Sequence, residues 1–175
     1  MRPAKQGVLD ALCGVYAVIN AIELVGVTGR RSALHAELFS KLVCALPPDR
    51  LRAGVVCGLG ADDLTAASRK AFRWLRREHG VDLRIRQPFA DHQFEQTPTY
   101  LDAVRAQAEN WQRAVIICIQ IPGGSHWTVL RSVEGRRLYV RDSGRLTVLD
   151  LSRYDLKRGR YRFLTEETLV VQRRP

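Results

Sequence analysis

Gln6-Gly7-Val8-Leu9-Asp10-Ala11-Leu12-Cys13-Gly14-Val15-Tyr16, running on through Ile19, Asn20, Ile22 and Glu23 to Val25, puts a cysteine at the head of an apolar helix. Leu12, Val15, Tyr16, Ile19, Ile22 and Val25 recur at helical spacing, which predicts an amphipathic helix over 12–25. This is the longest apolar region of the chain. Asn20 and Glu23 interrupt it, so it falls short of the roughly 18 unbroken apolar residues that a membrane span needs. Gly26 and Gly29 mark its end.

Outward from this helix the pattern stays helical at first. Ser32 caps a second helix predicted over 32–46, which Pro47-Pro48 stops. A third is predicted over 62–79, with Leu64, Ala67, Ala71, Trp74 and Leu75 on one face and Gly80 just beyond its end. Thr97 caps a fourth, running to about 112, with Pro98 at its first position. Residues 47–60 and 87–98 read as loops. The rest reads as strands: 81–87, then 114–121, 126–133, 137–142, 145–149, 160–164 and 168–172. Gly123-Gly124, Glu134-Gly135 and Ser143-Gly144 supply turns between them. The run 114–121 is almost continuously apolar and predicts a central strand. Helices first and an antiparallel sheet afterwards give an α+β class. The 175 residues match one ordinary domain, 1–175, in two lobes.

Composition narrows the function classes. Apolar residues make up 46%, enough for a core, and charged residues 26%, as in soluble globular proteins. The polar start, Met1-Arg2-Pro3-Ala4-Lys5, is no secretory signal, which predicts a cytoplasmic location. Cys13, Cys44, Cys57 and Cys118 are widely spaced with no C-x-x-C pair, so neither a zinc site nor a disulfide framework is expected. Cys44 and Cys118 are expected in the core. His35, His79 and His92 lack partners at metal-ligand spacing, and no cofactor or metal is called for.

The net charge of +10 has two readings. One is an acidic peptide or protein partner, for which Arg69, Lys70, Arg73, Arg76 and Arg77 form a basic stripe on the third helix. The other is compositional, because arginines are spread along the whole chain. Aromatics interleaved with basic residues are few and no nucleic-acid motif is present, which argues against nucleic acid.

Three stretches carry candidate chemistry. At Cys13 the helix N-terminus offers free amides and a partial positive charge, both favouring thiolate, the nucleophilic form. Gly14 leaves room for a substrate backbone. The Cys13 amide and the Gln6 side chain are candidate oxyanion donors. In Gly123-Gly124-Ser125-His126-Trp127, a histidine opens a strand after a tight glycine turn, where a rigid strand holds a base at the rim of a cleft. Trp127 is placed to shield the site, and Gly124 to line it. In Tyr139-Val140-Arg141-Asp142-Ser143-Gly144, Asp142 ends the strand that pairs with the His126 strand, where its carboxylate can orient the imidazole. Cys57-Gly58 is a weaker nucleophile candidate, because no helix opens at Cys57.

Gln, then Cys-Gly heading an apolar helix, then Gly-x-His-Trp opening a strand, then Asp-Ser-Gly, resembles the papain-like cysteine peptidase superfamily. Within it, the layout is most similar to the small bacterial peptidases that process double-glycine leader peptides. The resemblance spans about 6–151. It implies a papain-like fold, with a helical lobe whose nucleophile helix packs on a C-terminal antiparallel sheet. It also implies Cys13 as nucleophile, His126 as base, Asp142 as orienter and Gln6 as oxyanion donor. The His-Trp and Asp-Ser pairs are also similar to those of ubiquitin-like-protein proteases, but those order the triad His, Asp, Cys. The expected function is a cysteine peptidase or isopeptidase acting through a thioester. The alternatives are a transglutaminase-like amide acyltransferase, or a noncatalytic module whose basic surface binds an acidic partner.

Overall fold

The computed structural model describes residues 11–27, 32–144 and 146–174. Among these the order is α1 (Cys13–Leu24), α2 (Ser32–Cys44), α3 (Pro48–Cys57), α4 (Ala61–His79), β1 (Leu83–Arg86) and α5 (Thr97–Ala108). Then follow β2 (Arg113–Ile121), β3 (Gly124–Glu134), β4 (Arg137–Arg141), β5 (Val148–Asp150), a short 3-10 turn (Leu151–Arg153) and β6 (Arg162–Arg173). The fold is α+β, with one antiparallel sheet in the order β1-β6-β2-β3-β4-β5.

Strand alternation splits the core into two layers. Ala114, Ile116, Cys118, Trp127, Val129, Leu169 and Val171 face α1, α2 and α4. Val115, Ile117, Ile119, Leu130, Val140 and Phe163 face α5 and the loop before it. That loop is pinned by Phe89 and Phe94, whose rings stack edge-on against each other and against Tyr100 of α5.

Four expectations change in the structure. The α1 helix is buried nearly all round, not on one face: α2 and α4 cover the side away from the sheet, and even Asn20 and Glu23 are buried. Residues 48–57 form a helix, not a loop. Pro48 lies in its first turn, where a missing N–H costs nothing, and Asp49 suits the helix dipole. Only Gly54 of that helix is buried, so no apolar stripe advertised it. Strands 160–164 and 168–172 are one strand, β6. Residues 165–168 bulge out opposite the single residue Ile117, between the pairs Ile116↔Leu169 and Cys118↔Leu164. Cys44 is exposed, because α2 buries the line Leu34, Leu38, Leu42 and Cys44 lies beyond it on the far side of the helix.

The bulge has a structural use. Glu167 within it accepts the Ala61 amide at 2.7 Å and so caps α4, although burial pushes its carboxyl above the usual range. A second polar tie crosses the core. Arg141, at the end of β4, donates through Nη2 to Glu23 of α1, with side chains 11% and 1% exposed. Removing one partner of such a pair strands a buried charge. Arg141→Ala is therefore expected to cost about 3–5 kcal/mol in urea unfolding, whereas Glu23→Leu combined with Arg141→Met recovers most of it.

Candidate functional site

Three segments converge at one end of α1. The first carries Cys13, the first residue of the helix. Leu12, at the cap position, offers no side chain to the first-turn amides. The chain enters the helix along α3, with the Ala11 amide bonded to the Val55 carbonyl at 2.9 Å. Gly58, at φ +84°, closes α3 and lies against the Ala11 carbonyl. The helix then comes close to β3. A Cβ on Gly14 would lie 2.6 Å from Leu64 Cδ1 and 3.2 Å from Trp127 Cδ1. The space beside Gly14 is thus filled by protein and does not stand open for a substrate backbone, as the sequence led us to expect.

The second segment is the start of β3. Gly123 and Gly124 have φ of +100° and +148°, a turn that side-chain-bearing residues rarely adopt. Gly124 is exposed at the rim. Two residues on, His126 enters the sheet opposite Ile119. Trp127 points to the helical face, where it is 2% exposed and its Nε1 donates to the Leu59 carbonyl at 2.9 Å. It acts as a tie between sheet and the 57–60 segment, beneath the site and not over it.

The third segment follows β4. The ladder pairs Val129 with Arg141, so one further step sets Asp142 opposite Thr128. His126 is then its diagonal neighbour on the same sheet face, within side-chain reach. His126 Nε2 and Asp142 Oδ1 are 2.6 Å apart. Asp142 Oδ2 accepts the Gly144 amide at 2.7 Å, so the carboxylate is held from both sides with its side chain 1% exposed.

Cys13 is the second neighbour that acts on the His126 ring, and like Asp142 it favours the charged imidazole; its sulfur lies 3.9 Å from the Ala11 carbonyl oxygen. With Nε2 engaged by Asp142, Nδ1 is the nitrogen left for sulfur. Burial works against charge on this ring. The hydrogen bond and charge of Asp142, together with the neighbouring Cys13, outweigh it and raise the imidazole from 6.5 to about 10. An imidazolium at neutral pH is the counter-charge that a thiolate needs.

No protein-family model and no curated protein matches this chain. The geometry therefore stands on its own residues. Cys13, His126 and Asp142 meet; Gly14 and Trp127 pack beneath them; Gly124 lies at the rim; Gln6 lies outside the described residues.

Two hollows lie beside these residues. His126 and Asp142 form one wall of a cleft of about 540 Å³ whose other walls include Ile121, Leu146, Val148, Tyr154 and Tyr161. On the helical face, residues 57–60 with Cys118, Ser125 and Trp127 enclose about 160 Å³. Cys118 is buried there, and burial pushes its thiol well above the usual range, which leaves it inert. Cys57 is exposed at the C-terminal end of α3 and heads no helix. Among the described residues no cluster of three His, Cys, Asp or Glu can hold a metal. No helix among them is long and apolar enough to cross a membrane. The sequence reading missed the role of α3 in placing Cys13 and the cleft beside Tyr154 and Tyr161. Gly58 was the only signal of the former.

The raised imidazole has a definite consequence for stability. A folded value above the unfolded one stabilises the protein fully below pH 6.5, and that contribution is lost as pH rises through about 10. Unfolding free energy of the wild type should fall across that window more steeply than that of His126→Gln. Imidazole nitrogen shifts in NMR should show His126 still protonated at about pH 8.

Proposed function

We propose that the protein is a cysteine peptidase or isopeptidase of the papain-like kind. The observation that carries this reading is the single imidazole that bonds Asp142 through Nε2 at 2.6 Å and is held in its charged form by Asp142 and Cys13 together. The helix-borne cysteine, the strand-borne histidine and their order Cys, His, Asp support it. So does the cleft against His126, which has room for a peptide on the leaving-group side.

In this mechanism the Cys13 thiolate attacks the carbonyl carbon of an amide. Charge moves to the carbonyl oxygen, where the Cys13 amide at the helix start donates, with Gln6 as second donor. The His126 imidazolium then protonates the departing amine as the C–N bond breaks. That leaves a thioester on Cys13 and a neutral ring. Water enters, His126 takes its proton, and the hydroxide adds to the thioester. Collapse of that second intermediate releases the acid and expels the Cys13 thiolate, while His126 keeps the proton it took from water, which restores the thiolate–imidazolium pair. Asp142 holds the ring in the productive tautomer throughout.

Peptidyl amides with fluorogenic leaving amines test this directly. Wild type should release the amine. Cys13→Ala and His126→Ala should lose about 10³-fold or more, and Asp142→Asn about 10²–10⁴-fold, with circular dichroism unchanged. Full activity in Cys13→Ala, or no turnover and no acyl-enzyme from any amide or ester, would remove the reading. A second measurement is thiol labelling. Alkylation of Cys13 should fall in His126→Ala, while Cys44 and Cys57 label independently of His126.

A further inference from the structure

A second concave surface lies at the opposite side of the sheet. We propose that the groove between α4 and the free edge of β1 receives an extended acidic segment of a partner protein, added as a strand along β1 with alternate carboxylates paired to the arginines of α4.

The groove is about 480 Å³ and is lined from one side by Arg69, Arg73 and Arg76. These sit at i, i+4 and i+7, hence on one face of α4, and all three are exposed. None of them takes part in an ion pair among the described residues. The other wall is β1 itself, an end strand of the sheet. Asp82 is the sole acid in the lining, and it is drawn towards Arg174 at 3.8 Å.

The ladder phase tells which backbone groups face the groove. The Arg174 amide donates to the Asp82 carbonyl at 3.0 Å, so Asp82 bonds towards β6. The register continues as Leu83↔Arg173, Arg84↔Gln172, Ile85↔Val171. In an antiparallel ladder the bonded residues alternate, so Leu83 and Ile85 send their N–H and C=O outward into the groove. An open edge of this kind is a template for another strand.

The spacings match. Arg69 to Arg76 spans about 10 Å along the helix axis. In an extended peptide, side chains on one face recur about every 6.7 Å, close to one helical turn plus the reach of an arginine. Carboxylates at alternate positions therefore meet successive arginines while the peptide backbone pairs with β1. Arg84, exposed on the other face of β1, adds positive field there. Arg86 beside it is half-buried and bonds Gln107, and burial and the nearby Arg113 both oppose its charge. A further anion on this side would relieve that repulsion.

Two other readings are weaker. Charged residues on an edge strand can serve only to block aggregation, but that role belongs to residues of the strand, and three of these arginines are on the helix. A nucleic acid would satisfy the arginines but not the outward carbonyls of Leu83 and Ile85, and the only aromatic residue lining the groove, Phe72, is buried and offers no stacking platform.

The test uses a fluorescein-labelled peptide of alternating glutamate and threonine, with binding to Cys13→Ala protein followed by fluorescence polarisation. The cysteine variant keeps this result independent of any peptidase activity. Arg69→Gln/Arg73→Gln/Arg76→Gln should weaken binding about tenfold or more, and Arg136→Gln/Arg137→Gln at the far hairpin should not. A peptide with glutamine for glutamate, and one N-methylated at alternate amides, should each bind about tenfold or more weaker. Affinity should drop as salt rises from about 0.05 M to about 0.5 M. Undiminished binding of the N-methylated peptide would overturn strand addition. Equal binding by the glutamine peptide, no binding by the glutamate peptide, or tighter binding by oligothymidylate that ignores β1, would overturn the acidic-peptide assignment.

Discussion

The close approach of α1 to β3 at Gly14 is the contact on which the site depends. A hydrogen in place of a side chain lets the helix settle onto Trp127 and Leu64, and the residue before it then reaches the ring one position before Trp127. A Cβ at that point would meet the buried end of Leu64, which has little freedom to move because α4 is itself packed on the core. The depth of α1 in the structure, with helices on one side and the sheet on the other, makes the position of the Cys13 sulfur a consequence of packing. No flexible loop sets it. The 57–60 segment completes the arrangement, since its Leu59 carbonyl takes the Trp127 indole and its Gly58 abuts the chain that leads into the helix.

Two buried polar contacts lie inside this packing. Asp142 is almost wholly withdrawn from water, and both of its oxygens are bonded, one to His126 and one to the turn amide of Gly144. Its immediate neighbour Arg141 points to the other face and engages Glu23 from α1, the helix that Cys13 opens. Adjacent residues of β4 thus reach into the two layers, one orienting the imidazole and one tying the helix to the sheet. Each group would be costly to leave unpaired at such depth. Both interactions consequently restrict how α1, β3 and β4 can shift against one another.

The sheet separates the two candidate functions. His126 stands on β3, and the arginine groove follows β1, three strand spacings or about 14 Å away. The intervening strands β6 and β2 are rigidly hydrogen-bonded. The bulge of β6 at 165–168 even serves both sides of that stretch: Glu167 caps α4, the helix that carries the arginines, and it lines the small hollow beside Trp127. The arginines are spread along the chain, so net charge alone left their role open. The helix and edge strand gather five of them, at 69, 73, 76, 84 and 86, around one groove.

The α+β class and most of the elements were legible in the sequence, because hydrophobic period and turn residues are local properties: the helix at Cys13, the strand run at 114–121 and the hairpin after Glu134-Gly135 all declare themselves within a few residues. His126 and Asp142 were legible as a pair for the same reason, since one hairpin of 16 residues brings them together. That Cys13 belongs with them depends on how α1 lies across the sheet, which only tertiary packing decides. The same holds for α3, whose exposed surface carries no apolar stripe, for the bulge that makes one strand of two apparent ones, and for the buried Glu23–Arg141 pair, whose partners are 118 residues apart. Local sequence sets the backbone's period and its turns. Which distant side chains share a buried volume is decided by the packing of all the layers at once.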